Sequence, residues 1–244
     1  MSYADWKVPA DPDPGEILKS ADQDRIDGNF SDSLKKQIWF HHHALEVDRS
    51  YYGVRLSYAL ESWHELSRFY EPAKKALLAE SDVAEKKIKD PKLSDKDAFH
   101  DFSSINRELG REELIVHLFK WLDINNNEQA KKSFGLALPS LIKAKEYTLS
   151  IKYMNPEKDF SRMQKVYAQN LNLSKDPKFG DQMKEYAINS YTNEVTTLVA
   201  LLVVNDRIGE TKSIVSTSMD ILNTEEHRNA LEEALSGKVP NPWP

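Results

Sequence analysis

Three consecutive histidines, His41-His42-His43, are followed closely by Glu46, and a second imidazole–carboxylate pair, Glu61 and His64, lies further along. Imidazole and carboxylate are the groups that acid–base chemistry and metal ligation both use. On a helix, successive residues point about 100° apart, so three adjacent histidines cannot face one ion. Pairs can. His42 and Glu46 share a face at i, i+4, His43 and Glu46 at i, i+3, and Glu61 and His64 at i, i+3. Two antiparallel helices would be needed to gather His42, His43, Glu46, Glu61 and His64 around a metal. The same region concentrates Trp39, Tyr51, Tyr52, Arg55 and Trp63. That set fits a site for a peptide or small ligand, or a packed interior with Arg55 over a ring.

Glu61-Ser62-Trp63-His64 resembles half of a di-iron carboxylate site, which takes Glu-x-x-His from two helices together with two further carboxylates. The nearest second copy, Asp97-Ala98-Phe99-His100, carries the shorter acid. His64-Glu65-Leu66-Ser67-Arg68 begins like a zinc-protease helix, but a cation stands where the second ligand belongs. Metal binding is therefore the alternative reading. The preferred one is a binding surface formed by Trp39, His42, His43, Tyr52, Arg55, Trp63 and His64, with ordinarily hydrogen-bonded histidines. No catalytic residue is assigned, and no cofactor is expected.

Composition narrows the field further. The chain of 244 residues has no cysteine, which removes disulfide scaffolds, thiolate metal sites and thiol nucleophiles. Its eight glycines form neither a phosphate-cradling loop nor a serine-hydrolase elbow. A net charge of -6 argues against nucleic acid as a partner. The opening MSYADWKVPADPDPGE lacks a basic stretch followed by an apolar one, so no signal peptide is expected. The strongest apolar run, Leu198 to Val204, is too short to span a bilayer. No membrane partner is expected, and a cytoplasmic location follows by default.

The elements that must position these residues read as helices throughout. Residues 1–30 are expected to be a polar, proline-punctuated arm with at most a short helix near Ile17. Leu34, Ile38 and Leu45 mark a helix from Ser31 to about Arg49, and Leu56, Leu60, Trp63 and Leu66 a second over Val54–Tyr70. Pro72, Asn155-Pro156 and Asp176-Pro177 open helices, as does Ser94-Asp95-Lys96-Asp97, and Gly110 and Gly237 close them. Pro139 should kink the helix that contains it. Lys86-Lys87-Ile88-Lys89 reads as a solvated face and Asp123–Asn127 as a helix stop. Residues 31–237 are expected to form one helical array, and 238–244 a proline-rich tail docked on it through Trp243.

Three turns look alike: Leu109-Gly110-Arg111, Ala144-Lys145-Glu146 and Ile208-Gly209-Glu210, the first two 35 positions apart. Trp63, Leu66, Ser67, Tyr70 and Ala79 fall at the spacing of the tetratricopeptide signature, a family whose period is 34. Over residues 54–222 the chain resembles a degenerate tetratricopeptide-like repeat protein. Its Val239–Pro244 ending also resembles that of uncharacterised bacterial helical proteins. The first resemblance implies an all-α, right-handed stack of antiparallel helical hairpins that binds a protein or peptide partner without catalysis. The long stripe from Met183 to Leu202 raises a homodimer as a further way to cover apolar surface.

Overall fold

The computed structural model describes residues 6–90 and 97–243. Among them are thirteen α-helices, two short 3-10 turns and no strand, so the protein is all-α. The chain divides into two compact units, Met1–Leu136 and Ala137–Pro244.

The first unit opens with α1 (Pro14–Ile26), which falls in the stretch read as a polar arm. Asp13 caps it by accepting from the Glu16 N–H at 3.1 Å, and Pro14 starts it. Ile17, Leu18 and Ala21 are buried against α2 (Phe30–Val47), in a cluster with Trp39, Phe40 and Ala44. Polar bonds stitch the same seam. Ser33 Oγ donates to the Ala21 carbonyl at 2.8 Å. Lys36 is buried, donates to Ser20 Oγ at 2.6 Å and pairs with the Asp24 carboxylate. An ammonium removed from water needs that anion.

After α2, Asp48 caps a 3-10 turn, Arg49–Tyr51, and then comes α3 (Tyr52–Arg55). The helix expected over Val54–Tyr70 is broken: α4 runs only from Tyr58 to Ser67. Ser57 explains the break. Its hydroxyl donates to the Gly53 carbonyl at 2.9 Å, the bond its own amide would make in a continuous helix, while that amide goes to Val54 instead. α5 (Glu71–Lys89) carries Pro72 in its first turn, one residue past the start. α6 (Ala98–Glu108), α7 (Glu112–Asn125) and α8 (Asn127–Lys143) follow. Ser94 to Lys96 of the expected capping box lie outside the described residues. Asp97 does precede α6, but its side chain makes no capping bond. Gly110 ends α6 at φ +65, with its amide on the Arg107 carbonyl and the Arg111 amide on Asn106.

The second unit is arranged around α11 (Gly180–Val204), in contact with α9 (Tyr147–Tyr153), α10 (Pro156–Leu173), α12 (Thr211–Ile221) and α13 (Glu225–Leu235). Every residue from Val195 to Leu202 is buried there. α11 is long and apolar enough to cross a membrane by length and composition, but 61% of that window is buried inside the unit, as befits a core helix. Asn155 caps α10 as its sequence implies, accepting from the Lys158 N–H at 3.0 Å. Asp176-Pro177 instead lies in the turn before α11, which starts at Gly180.

If α1 is core rather than arm, trimming its buried face must be costly. Leu18→Ala is expected to lower the free energy of unfolding by about 2–4 kcal/mol, measured by urea denaturation. A change below half a kilocalorie, the size usual for surface positions, would return α1 to the status of an arm.

Candidate functional site

The predicted site residues fall in the first unit, where α2 to α6 converge. Its centre is Arg55, the last residue of α3, buried at 5% exposure. Its Nη2 donates to the Asp101 carboxylate on α6. Its Nη1 lies 3.4 Å from His41 Nε2 on α2. A guanidinium only donates, so His41 Nε2 must accept, and the imidazole is neutral with its proton on Nδ1. Burial, then the charge of Arg55, pulls the His41 pKa down to about 3. The His41 ring meets Trp63 edge-on at 5.9 Å, and Trp63 donates from its indole nitrogen to the Ala73 carbonyl at 3.1 Å, tying α4 to α5.

Beside this core sits Tyr52. Its hydroxyl donates to Asp97 at 3.2 Å and lies 3.0 Å from His100 Nδ1, with the two rings at 61°. Burial and the Asp97 charge raise the Tyr52 pKa, and burial lowers that of His100. A further seam links α1, α2 and α4: Gln37 donates to Ser62 Oγ at 2.6 Å, and Ser62 and Tyr58 both donate to Asp22.

The remaining histidines of the predicted set divide into separate pairs. His42 Nε2 meets Glu80 of α5 at 2.9 Å, His43 Nδ1 meets Glu46 at 2.9 Å, and His64 Nδ1 meets Glu108 of α6 at 2.9 Å. The Glu80 hydrogen bond raises the His42 pKa. Burial would raise that of Glu80, but the His42 bond and neighbouring positive charge outweigh it and hold it low. Glu61 is exposed. The set His42, His43, Glu46, Glu61 and His64 is thus distributed over distinct partners. Among the described residues no group of three or more His, Cys, Asp or Glu side chains is placed to hold a metal ion. Trp39 is buried, with its ring 5.9 Å from that of His43.

Sequence reasoning passed over Asp101, Glu80, Glu108 and Asp22. Each meets its partner from a different helix, so no local spacing marks the pair. His41 was noticed, but not its role as acceptor for Arg55.

The centre is a buried polar cluster. Arg55 bonds to Asp101 and His41, and Tyr52 to Asp97 and His100, which ties three helices together, while Arg55 Nε is buried without a hydrogen-bond partner. Compared with known proteins, the chain matches no family model, no curated protein and no solved structure.

Removing the anion should expose the cost of the cation. Asp101→Ala is expected to destabilise by about 3–5 kcal/mol, while Arg55→Met in the same background should recover most of that loss in urea denaturation. Additive losses would show that the two side chains do not interact.

His41 also sets an acid limit. Its folded pKa lies below the unfolded value of 6.5, so between pH 6.5 and about 3 the unfolded chain binds the proton and the folded one does not. Stability is then full above pH 6.5 and falls on acidification by up to about 1.4 kcal/mol per pH unit. His227 in the second unit, pulled down to about 4 by burial, acts in the same direction. His42, with its raised pKa, acts oppositely and contributes only while protonated. Urea denaturation at pH 6.5, 5.5 and 4.5 should therefore give a shallower acid slope for His41→Gln than for the wild type. An identical slope would show that His41 is protonated in the fold.

Proposed function

We propose that this protein is a non-enzymatic module that binds a segment of a partner protein, built from tetratricopeptide-like helical hairpins. One observation carries the reading: the first hairpin separates a locked interior from a reactive-looking exterior. Arg55, His41, Trp39 and Trp63 are buried, with Arg55 bonded to Asp101 and His41 and Trp63 to the Ala73 carbonyl. On the outer side, His42–Glu80 joins α2 to α5 and His43–Glu46 stands on α2, with both histidines about half exposed. Such pairs, held on a rigid base, can be exchanged for a partner's own charges at little reorganisation cost. Tyr52 and His64 are half-buried and pair toward α6, with Asp97 and His100 and with Glu108.

The repeat reading is supported by two turns 35 residues apart. Gly110 and Lys145 both adopt positive φ, and each turn closes with the same pair of main-chain bonds. The same closure also ends α1 at Gly28 and α13 at Gly237, so it is a general helix ending, and it is the 35-residue spacing of these two turns that speaks for stacked two-helix units.

The test uses a photo-crosslinking amino acid at position 43 of the full chain in its native host. A defined partner band is expected, reduced at least ten-fold in a His42→Ala/Glu80→Ala background. Equal capture by that background would remove the outer face from the binding role. Stoichiometric iron, manganese or zinc in untagged protein would overturn the non-enzymatic reading.

A further inference from the structure

Val239-Pro240-Asn241-Pro242-Trp243 cannot coil. Each proline fixes its own φ near −65° and drives the preceding residue into extended conformations. The segment therefore enters any contact as a polyproline-like ribbon with little freedom left to lose. In the second unit this ribbon lies on α11. Asn193 Nδ2 donates to the main-chain carbonyl of Asn241 at 2.8 Å, and Asn193 Oδ1 accepts from the main-chain N–H of Trp243 at 3.1 Å. Val239 packs on the core of the unit, and Gly237 lies beside Val203 and Val204. The ribbon thus runs back along α11 from Val204 to Asn193. That is about 16 Å of helix, which a ribbon from Gly237 to Trp243, about 19 Å in polyproline geometry, can cover.

Three features make this a recognition surface. Both Asn193 bonds go to main chain, so they read an extended backbone two residues apart and are indifferent to side chains. The seat is shallow: Lys238, Asn241 and Trp243 are exposed, with Trp243 at 41%. The track also continues past the ribbon. Tyr186, seven residues before Asn193, falls within about 20° of the same helical face and about 10 Å further on, and it is 46% exposed. Prolines of extended ligands pack against aromatic rings of this kind.

We propose that the stripe of α11 from Tyr186 to Val204 is a docking track for extended, proline-containing segments of the Val-Pro-x-Pro-Trp type supplied by another protein. The 238–243 segment is its resident occupant. It competes from the same chain at an effective concentration in the millimolar range, so a segment arriving in trans must displace it. This inference rests on the second unit alone and is separate from the α2–α5 face.

The probe is a fluorescein-labelled peptide of residues 238–244, titrated against full-length protein by anisotropy. A Val239→Asp/Trp243→Ala chain, whose own ribbon is weakened, is expected to bind it in the micromolar range, at least ten-fold tighter than the wild type. Adding Asn193→Ala to that chain should weaken binding at least ten-fold. A peptide N-methylated at its tryptophan amide lacks the N–H that Asn193 accepts and should lose as much, with no change to the protein. On the unaltered chain, millimolar peptide should accelerate hydrogen exchange at the Trp243 amide, and the N-methylated peptide should not. No binding to the weakened chain, equal binding without Asn193, or indifference to N-methylation would each overturn the proposal. So would a wild-type dimer that dissolves in the Val239→Asp/Trp243→Ala chain, which would assign the ribbon to exchange between copies.

Discussion

A guanidinium leaves water at high cost unless an anion accompanies it, and the first unit is organised around such a pairing for Arg55. Asp101 supplies the charge and His41 an acceptor. The chain break at Ser57 is part of the same solution. In an unbroken helix Arg55 and Trp63, eight residues apart, would sit about 80° from each other on one cylinder. Ending α3 at Arg55 and restarting at Tyr58 frees the two side chains to be buried independently, Arg55 toward α2 and α6 and Trp63 toward α5. The neutrality of His41 then follows. An imidazolium beside a buried guanidinium would add like charge where water cannot screen it, so the proton is excluded.

How much of this was legible in the residues depends on the range of the interaction. Apolar periodicity announced an all-α chain, and Asn155-Pro156 announced the start of α10 together with its capping bond. The pair His43–Glu46, predicted from i, i+3 spacing, forms as such. But His42 turns to Glu80 rather than Glu46, and His64 to Glu108 rather than Glu61. Exposed i, i+4 pairs contribute only a few tenths of a kilocalorie, so a partner from another helix readily wins. The same logic hid α1. Its charged residues suggested an arm, yet Lys36 of α2 neutralises Asp24, and Ile17 and Leu18 provide enough apolar surface to dock. Ser57 was invisible for another reason: whether a serine hydroxyl displaces its own amide from a carbonyl is decided by tertiary strain, not by composition.

The turns show where a motif is a matter of geometry rather than of letters. Gly110, Lys145 and Asp206 all take positive φ, and in each turn that residue's own amide and the next one bond back to the same pair of carbonyl positions. Only the first is a glycine. In the third turn the left-handed residue is Asp206, with a 3-10 turn over Ile208–Glu210 after it, so the likeness read at Ile208-Gly209-Glu210 is displaced from the bond that defines the closure. A lysine or aspartate in that conformation carries a cost that glycine does not. The core of the second unit, gathered on α11, offsets it.

That concentration of burial on α11 also bears on binding. A helix whose residues from Val195 to Leu202 are all covered has little apolar surface left to offer. What it presents along its remaining stripe is a half-exposed amide, Asn193, and an exposed ring, Tyr186. Polar interiors such as that of Arg55 are held by side chains of fixed identity and cannot change partners without unfolding. Asn193 differs because it is satisfied by main chain, which every polypeptide carries. Replacing its occupant loses two hydrogen bonds and regains two, so the exchange is near thermoneutral in polar terms and is decided by what the incoming segment packs beyond them. A ring in line with the track is where that difference can be made.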